Sequence, residues 1–144
     1  HLPALQLISS LQLSVAAHEP ILYEYYASIE RDNFRKQYEL NDDEIRRAVD
    51  RLSDGLVAAE RLEFVRQYRN QMDRLAADLD NTLRVFGDKR VDWDHARELL
   101  VEVTAAGRLV TAQLETLARS IRNAVKVGGA KTRLHFDYVV SAVL

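Results

Sequence analysis

The chain of 144 residues has no cysteine, only five glycines and only two prolines. Without cysteine it can form neither a disulfide framework nor a thiolate metal site, and a cysteine nucleophile is excluded. A β-sandwich or β-barrel needs turn residues about every 8 to 12 positions, and so few glycines and prolines do not supply them. The composition therefore predicts an all-α fold.

The charges of the chain are nearly balanced, with 20 lysines and arginines against 22 aspartates and glutamates. Nucleic-acid-binding domains carry an excess of positive charge, so no nucleic-acid partner is expected. Hydrophobic residues make up 47% of the sequence, which is ordinary for a folded domain and argues against disorder. The length suits one domain, and we expect residues 1–144 to form a single helical domain.

No stretch of the sequence reaches the roughly 20 apolar residues that a membrane-spanning helix needs. Residues 134–144 come nearest, and they become more apolar towards the end of the chain. Phe136 and Tyr138 follow Lys131 and Arg133, an order that is typical of the membrane interface. This segment is either the first turns of a membrane helix, to which residues 130–144 lead, or a C-terminal helix packed on the core.

Capping residues predict where the helices begin and end. Asn41 and Glu44 have the spacing of a capping box, so a helix is expected to begin at Asn41. Gly87 suits a left-handed C-cap and Asp92 suits the next N-cap. Pro20 lacks an amide hydrogen and should kink or interrupt the first helix. The predicted helices cover about 3–38, 41–58, 60–86 and 92–127.

Apolar residues recur at alternating steps of four and three in the first and last predicted helices. A spacing of about 3.5 residues is typical of a coiled coil or a long antiparallel bundle. We call these positions the seams. The two series are Ala4, Ile8, Leu11, Val15, His18, Leu22, Tyr25 and Ile29, and then Ala96, Leu100, Val103, Gly107, Val110, Leu114, Leu117 and Ile121.

The middle of the chain carries two apolar series that are out of phase between Ala59 and Leu62. A turn within residues 53–62 would give two helices, whereas one continuous helix with a stutter is the alternative. With two middle helices, the chain is predicted to be an antiparallel up-and-down four-helix bundle with long first and last helices. Both ends of the chain would then lie at one end of the bundle.

This arrangement resembles the extracytoplasmic four-helix-bundle sensor domains of bacterial transmembrane receptors, which include chemoreceptors, sensor histidine kinases and diguanylate cyclases. The shared features are a long first helix, two shorter middle helices, and a long last helix that runs into an apolar segment. The resemblance covers the whole chain as architecture rather than as a motif, and it is strongest in residues 1–38 and 91–144.

The resemblance implies a periplasmic or otherwise extracytoplasmic sensor domain of an inner-membrane signal transduction protein. It further implies a homodimer, held at the membrane by flanking segments, that passes ligand or dimer-state signals through its terminal helices. A cytoplasmic coiled-coil dimerisation or adaptor module is the alternative function.

Residues able to support catalysis are sparse, so neither enzymatic activity nor a cofactor is expected. The four histidines, at positions 1, 18, 95 and 135, are not paired at the spacing of a helical metal site. Ser9, Ser10 and Ser53 have no base nearby in the sequence and no glycine elbow.

Polar residues at seam positions mark a candidate ligand site. His18 occupies a seam position, and Gly107 leaves a gap in the seam of the last helix. Arg69 lies between Val65 and Met72, where the spacing leads us to expect an apolar residue. Residues can be counted along each predicted helix from the loops at the end of the bundle opposite the chain ends. At 1.5 Å per residue, His18, Arg69 and Gly107 then lie within roughly 6 Å of one level of the bundle, which we call the His18 layer.

This layer has two interpretations. In the first, His18, Tyr25, Arg69, Arg108 and Thr111 line a pocket for a small anion, with Arg69 as a bidentate donor. In the second, His18 bonds a carboxylate, Arg69 extends to the surface, and Gly107 permits close packing of helices.

Tyrosines on the first helix mark a candidate dimer interface. Tyr23 and Tyr26 lie off the seam, and tyrosine is common at interfaces because it buries area while keeping a polar tip. Either a partner subunit or the second helix of the same chain is expected to cover them.

Overall fold

The computed structural model describes residues 2–55, 57–84 and 90–131. The fold over these residues is helical and contains no strand, which confirms the predicted all-α class. The elements in chain order are α1 (Leu2–Ala16), α2 (His18–Ser28), α3 (Arg31–Asp54), a 3-10 helix (Ala59–Leu62), α4 (Glu63–Leu83) and α5 (Trp93–Lys131).

The core is formed by the predicted seams. Every seam residue of α1 and α2 is buried except Ile29, and every seam residue of α5 is buried except Gly107, which is half-buried. Helix α5 packs against α1, α2 and α4, while α3 packs against α1 and α2. The 3.5-residue spacing therefore identified the inward face of the first and last segments correctly.

The predicted first helix, 3–38, is wrong, because the chain breaks twice within it. The first break lies between Ala16 and His18, where Pro20 has no amide hydrogen to give the Ala16 carbonyl. The second break lies at Ile29, whose φ of 56° is left-handed and whose amide donates to the Tyr25 carbonyl at 2.7 Å. The interruption at Pro20 was predicted, whereas the turn at Ile29 was not.

The predicted capping box at Asn41 and Glu44 is also wrong. Both residues lie inside α3, which begins ten residues earlier at Arg31. Asn41 is buried, and its side-chain Nδ2 donates to the carbonyl oxygen of Ser14 at 2.8 Å. The asparagine therefore satisfies a polar group of a neighbouring helix instead of capping its own.

The middle segment forms two helices, as the phase slip predicted, and the continuous-helix alternative is wrong. Helix α3 ends at Asp54, and Val57 and Ala58 are not helical. Asp92 is the predicted N-cap of the last helix, and its Oδ1 accepts from the His95 amide at 3.1 Å. The predictions for Gly87 and for 134–144 lie outside the described residues.

Helix α5 is the longest element, with 39 residues, and it runs beside α1 and α2. Gln12 donates to Glu115 at 3.1 Å midway along α5, and Arg97 donates to Tyr26 at 3.4 Å near the start of α5. None of the described helices is long and apolar enough to cross a lipid bilayer.

Candidate ligand site

His18 is more deeply buried than the other buried polar residues, Ser14 and Asn41, with 1% of its surface exposed. Its Nδ1 lies 2.6 Å from the Tyr68 hydroxyl. That hydroxyl has one proton and is 3.4 Å from the Val15 carbonyl, a distance too long for an effective O–H···O bond. Because Nδ1 is nearer to the hydroxyl than the Val15 carbonyl is, we assign the Tyr68 proton to the bond with His18 Nδ1.

This assignment fixes the tautomer of the imidazole. A neutral histidine that accepts at Nδ1 carries its own hydrogen at Nε2. His18 Nε2 is buried and has no hydrogen-bond partner in the part of the chain that the structure describes. A buried donor without an acceptor costs about 1–3 kcal/mol, so this N–H is a functional candidate.

The environment of His18 keeps the ring uncharged. Burial lowers the pKa of His18 to about 4, with the negative charge of Asp42 acting in the opposite direction and the positive charge of Arg69 adding to the decrease. The rings of Tyr38 and Tyr68 lie 5.4 and 5.5 Å from the imidazole. At neutral pH the site therefore presents a neutral donor.

A cavity of about 440 Å³ lies between α1/α2 and α5, with His18 in its wall. It brings together four residues that the sequence placed in one layer: His18, Gly107, Arg108 and Thr111. Its remaining lining is Val15, Ala16, Glu19, Tyr68, Val103, Thr104, Ala112 and Glu115.

Gly107 leaves space rather than allowing helices to touch. A Cβ atom added at this glycine would meet no other heavy atom within 4 Å. The expectation that Gly107 permits close helix packing is therefore wrong. A glycine within a helix destabilises that helix by about 0.5–1 kcal/mol relative to alanine. At position 107 the missing side chain enlarges the cavity.

Arg69 does not line this cavity. Its guanidinium forms a bidentate pair with Asp42, with Nε at 2.9 Å and Nη2 at 3.0 Å from the two carboxylate oxygens. The seam position that the sequence analysis gave to Arg69 belongs to Tyr68, which is buried between Val65 and Met72. The steps of three and four from 65 to 68 to 72 were the signal that was missed.

Tyr25 is likewise outside the cavity that His18 lines. Its hydroxyl donates to Asp80 at 2.6 Å, and its ring stacks on Phe34 with the centroids 4.2 Å apart. Burial and the neighbouring Asp80 raise the pKa of Tyr25 above its ordinary value. Tyr25 is therefore a core residue whose polar tip is satisfied within the chain.

Charges at the cavity do not favour an anion strongly. Arg108 is the one basic residue in the lining, and Glu19 and Glu115 are also there. Glu115 accepts from Gln12 at 3.1 Å and from Arg122 at 3.4 Å. Because Arg69 is paired with Asp42, the anion prediction loses the cation on which it depended.

The two candidate interface tyrosines differ in their surroundings. Tyr23 is exposed. Tyr26 packs edge-on against Trp93, with ring centroids 5.4 Å apart, and accepts a hydrogen bond from Arg97. Tyr26 is therefore partly covered by its own chain, and the role of both residues in a dimer stays a prediction.

Comparisons of the chain with protein-family models, curated proteins and solved structures give no match. Within residues 2–55, 57–84 and 90–131, no group of three or more histidine, aspartate or glutamate side chains is placed to hold a metal ion. The functional argument therefore depends on the cavity and its residues.

Proposed function

We propose that this chain is the extracytoplasmic sensor domain of a membrane-bound bacterial signalling protein, folded as an antiparallel up-and-down four-helix bundle. Hydrogen-bonded pairs support the helix directions. Between α3 and α4, Tyr38 bonds Asp73 and Asp42 bonds Arg69, so residue numbers rise on one helix as they fall on the other. Gln12–Glu115 and Tyr26–Arg97 give the same opposite order for the first and last helices.

The cavity beside His18 is the observation that carries the proposal. It lies where the break between α1 and α2 faces the middle of α5. A sensor that signals through its first and last helices needs a ligand site that contacts both of them. Residues of both helices line this cavity, and the buried N–H of His18 has no acceptor among the described residues.

Signalling requires a ligand that prefers one of two helix packings. A ligand shifts a conformational equilibrium only by the difference in its affinity for the two states. In the present packing His18 Nε2 is shielded from solvent, although His18 lines the cavity. We propose that a small movement of α5 away from α1 and α2 lets an acceptor reach this atom. A ligand that bonds this atom would therefore favour the separated packing, and about 1–3 kcal/mol of coupling suffices.

Double electron–electron resonance can test this motion, since the chain has no cysteine to interfere with labelling. We would place spin labels at Gln6→Cys and Asn123→Cys, two exposed positions on α1 and α5. Gly107→Leu fills the cavity from α5, while Ala105→Leu adds a leucine at an exposed neighbouring position as a control. The proposal predicts a changed distance distribution with Gly107→Leu only. Identical distributions in all three proteins would contradict it.

A dimerisation module is the second candidate function, and exposed apolar side chains favour it. Leu13 on α1 is 74% exposed, and Val101 and Leu109 on α5 are 66% and 61% exposed. A second copy of the chain would bury such side chains. Sedimentation would separate the candidates: a dimer that Leu13→Glu and Leu109→Glu dissociate, without any response to Gly107→Leu, favours dimerisation alone.

A further inference from the structure

His18 and Gly107 line the same cavity, and the buried Nε2–H of His18 has no acceptor among the described residues. Together the two residues define what would fit there. The donor is buried and neutral, and the cavity lining carries one guanidinium, Arg108, together with two carboxylates, Glu19 and Glu115. A charged ligand would lose part of its hydration there, and an anion would meet two carboxylates against one guanidinium, whereas a cation would meet a hydrogen-bond donor instead of an acceptor. An uncharged acceptor would satisfy the donor without that cost.

The walls near His18 are mainly apolar. Val15 and Val103 are buried, with Ala16 and Ala112 beside them. A volume of about 440 Å³ is within the range of small-molecule sites, which combine apolar walls with a few polar groups that fix orientation. The Thr111 hydroxyl and the Arg108 guanidinium form no hydrogen bond or ion pair within the described residues.

We infer that this cavity binds a small uncharged organic molecule, whose carbonyl or other acceptor atom accepts from His18 Nε2 and whose apolar body packs against Val15 and Val103. The inference rests on the proposed sensor function, because it names the ligand class of the same site. Gly107 then keeps space free for the ligand, since any larger side chain would occupy that space.

Three matched probes of similar size test the inference by nuclear magnetic resonance. Acetophenone has a phenyl body and a carbonyl acceptor, ethylbenzene lacks the acceptor, and benzoate replaces it with a charge. The readouts are the Gly107 amide and the His18 Nε2–H resonances of the labelled chain. We expect saturable shifts with acetophenone, and at least about fivefold weaker binding of the other two probes, which corresponds to about 1 kcal/mol.

Equal or tighter binding of benzoate would overturn the inference in favour of an anion site. Equal binding of ethylbenzene would show an apolar cavity in which His18 plays no part, and the absence of saturation with all three would show that there is no site. Gly107→Leu should abolish the acetophenone shifts, whereas Ala105→Leu should retain them.

The same samples separate this inference from the proposed function. If acetophenone binds but leaves the distance between labels at positions 6 and 123 unchanged, the ligand site stands and the sensor proposal fails. If acetophenone does not bind although Gly107→Leu changes that distance, the ligand class is wrong and the helix motion stands.

Discussion

The two sides of the helix bundle around His18 differ in how their polar groups are hydrogen-bonded. On the α3–α4 side, Asp80 accepts from Tyr25 and Arg31, and Asp42 accepts from Arg69 through both oxygens. On the α5 side, His18 has one ring N–H without an acceptor among the described residues, next to a cavity widened by Gly107. The polar groups on the first side are hydrogen-bonded within the chain, whereas the donor on the second side is not.

This difference shows which polar residues are structural. Although burial alone would raise it, hydrogen bonds from Arg31 and Tyr25 hold the pKa of Asp80 below its ordinary value. Buried polar groups that are bonded in this way stabilise one packing of the helices. An unsatisfied donor beside unfilled space destabilises the packing around it, and such cost is typical of functional sites.

The largest loss of stability should come from the α3–α4 side, where the polar groups are hydrogen-bonded. Asp80→Ala removes the acceptor of the buried Tyr25 hydroxyl and the partner of Arg31, and we expect the free energy of unfolding to fall by about 2–3 kcal/mol. Urea unfolding at neutral pH measures it. Asp43→Ala is the control, because Asp43 and Arg46 form an exposed pair on α3, and its loss should cost less than about 0.5 kcal/mol. Equal losses in the two variants would contradict the comparison.

The second prediction concerns acid stability. The unfolded histidine takes up a proton near pH 6.5, whereas burial holds the pKa of folded His18 at about 4. Between these values the unfolded state binds more protons, so the free energy of unfolding falls as the pH is lowered. We expect His18 to account for a loss of about 2 kcal/mol between pH 7.5 and pH 5.

His18→Gln isolates this contribution, because it retains a polar side chain that does not titrate. Chemical unfolding of both proteins at several pH values should show a shallower pH dependence for the variant. The difference between the two curves isolates the contribution of His18. Parallel curves would mean that His18 is charged in the folded protein or exposed to water.

The smallest predicted effect is a gain. Gly107→Ala adds a methyl group that meets no other atom, so we expect the free energy of unfolding to rise by about 0.5–1 kcal/mol from helix propensity. Ala105→Gly, at an exposed position of the same helix, should lower it by a similar amount. A loss of stability in Gly107→Ala would show that α5 packs closely at this glycine and that the space is not available to a ligand.

Periodicity and local chemistry made much of the fold predictable. The seams of α1, α2 and α5 follow directly from the spacing of apolar residues, and Pro20 and Asp92 act within one helical turn of their own positions. The capping box at Asn41 failed because its side chain bonds the Ser14 carbonyl of another helix. The turn at Ile29 was missed because a β-branched residue rarely adopts a left-handed conformation.

The candidate site was predictable in part for the same reason. Counting along helices placed His18 and Gly107 at the same level, and both line the cavity. The pairing of Arg69 with Asp42 depends on how α3 and α4 face each other, which spacing within one helix does not determine. Tyr68 fits the seam spacing between Val65 and Met72, which marks it as buried, but periodicity does not show that its hydroxyl contacts His18.

The protonation of the two His18 ring nitrogens tests the central claim most directly. Long-range proton–nitrogen correlation spectra of the ¹⁵N-labelled chain at neutral pH report which nitrogen carries hydrogen. The account predicts one neutral tautomer, with hydrogen on Nε2 and an acceptor Nδ1 whose resonance shifts in Tyr68→Phe. Hydrogen on Nδ1, or on both nitrogens, would contradict it, because the cavity would then face an acceptor or a cation instead of an unsatisfied neutral donor.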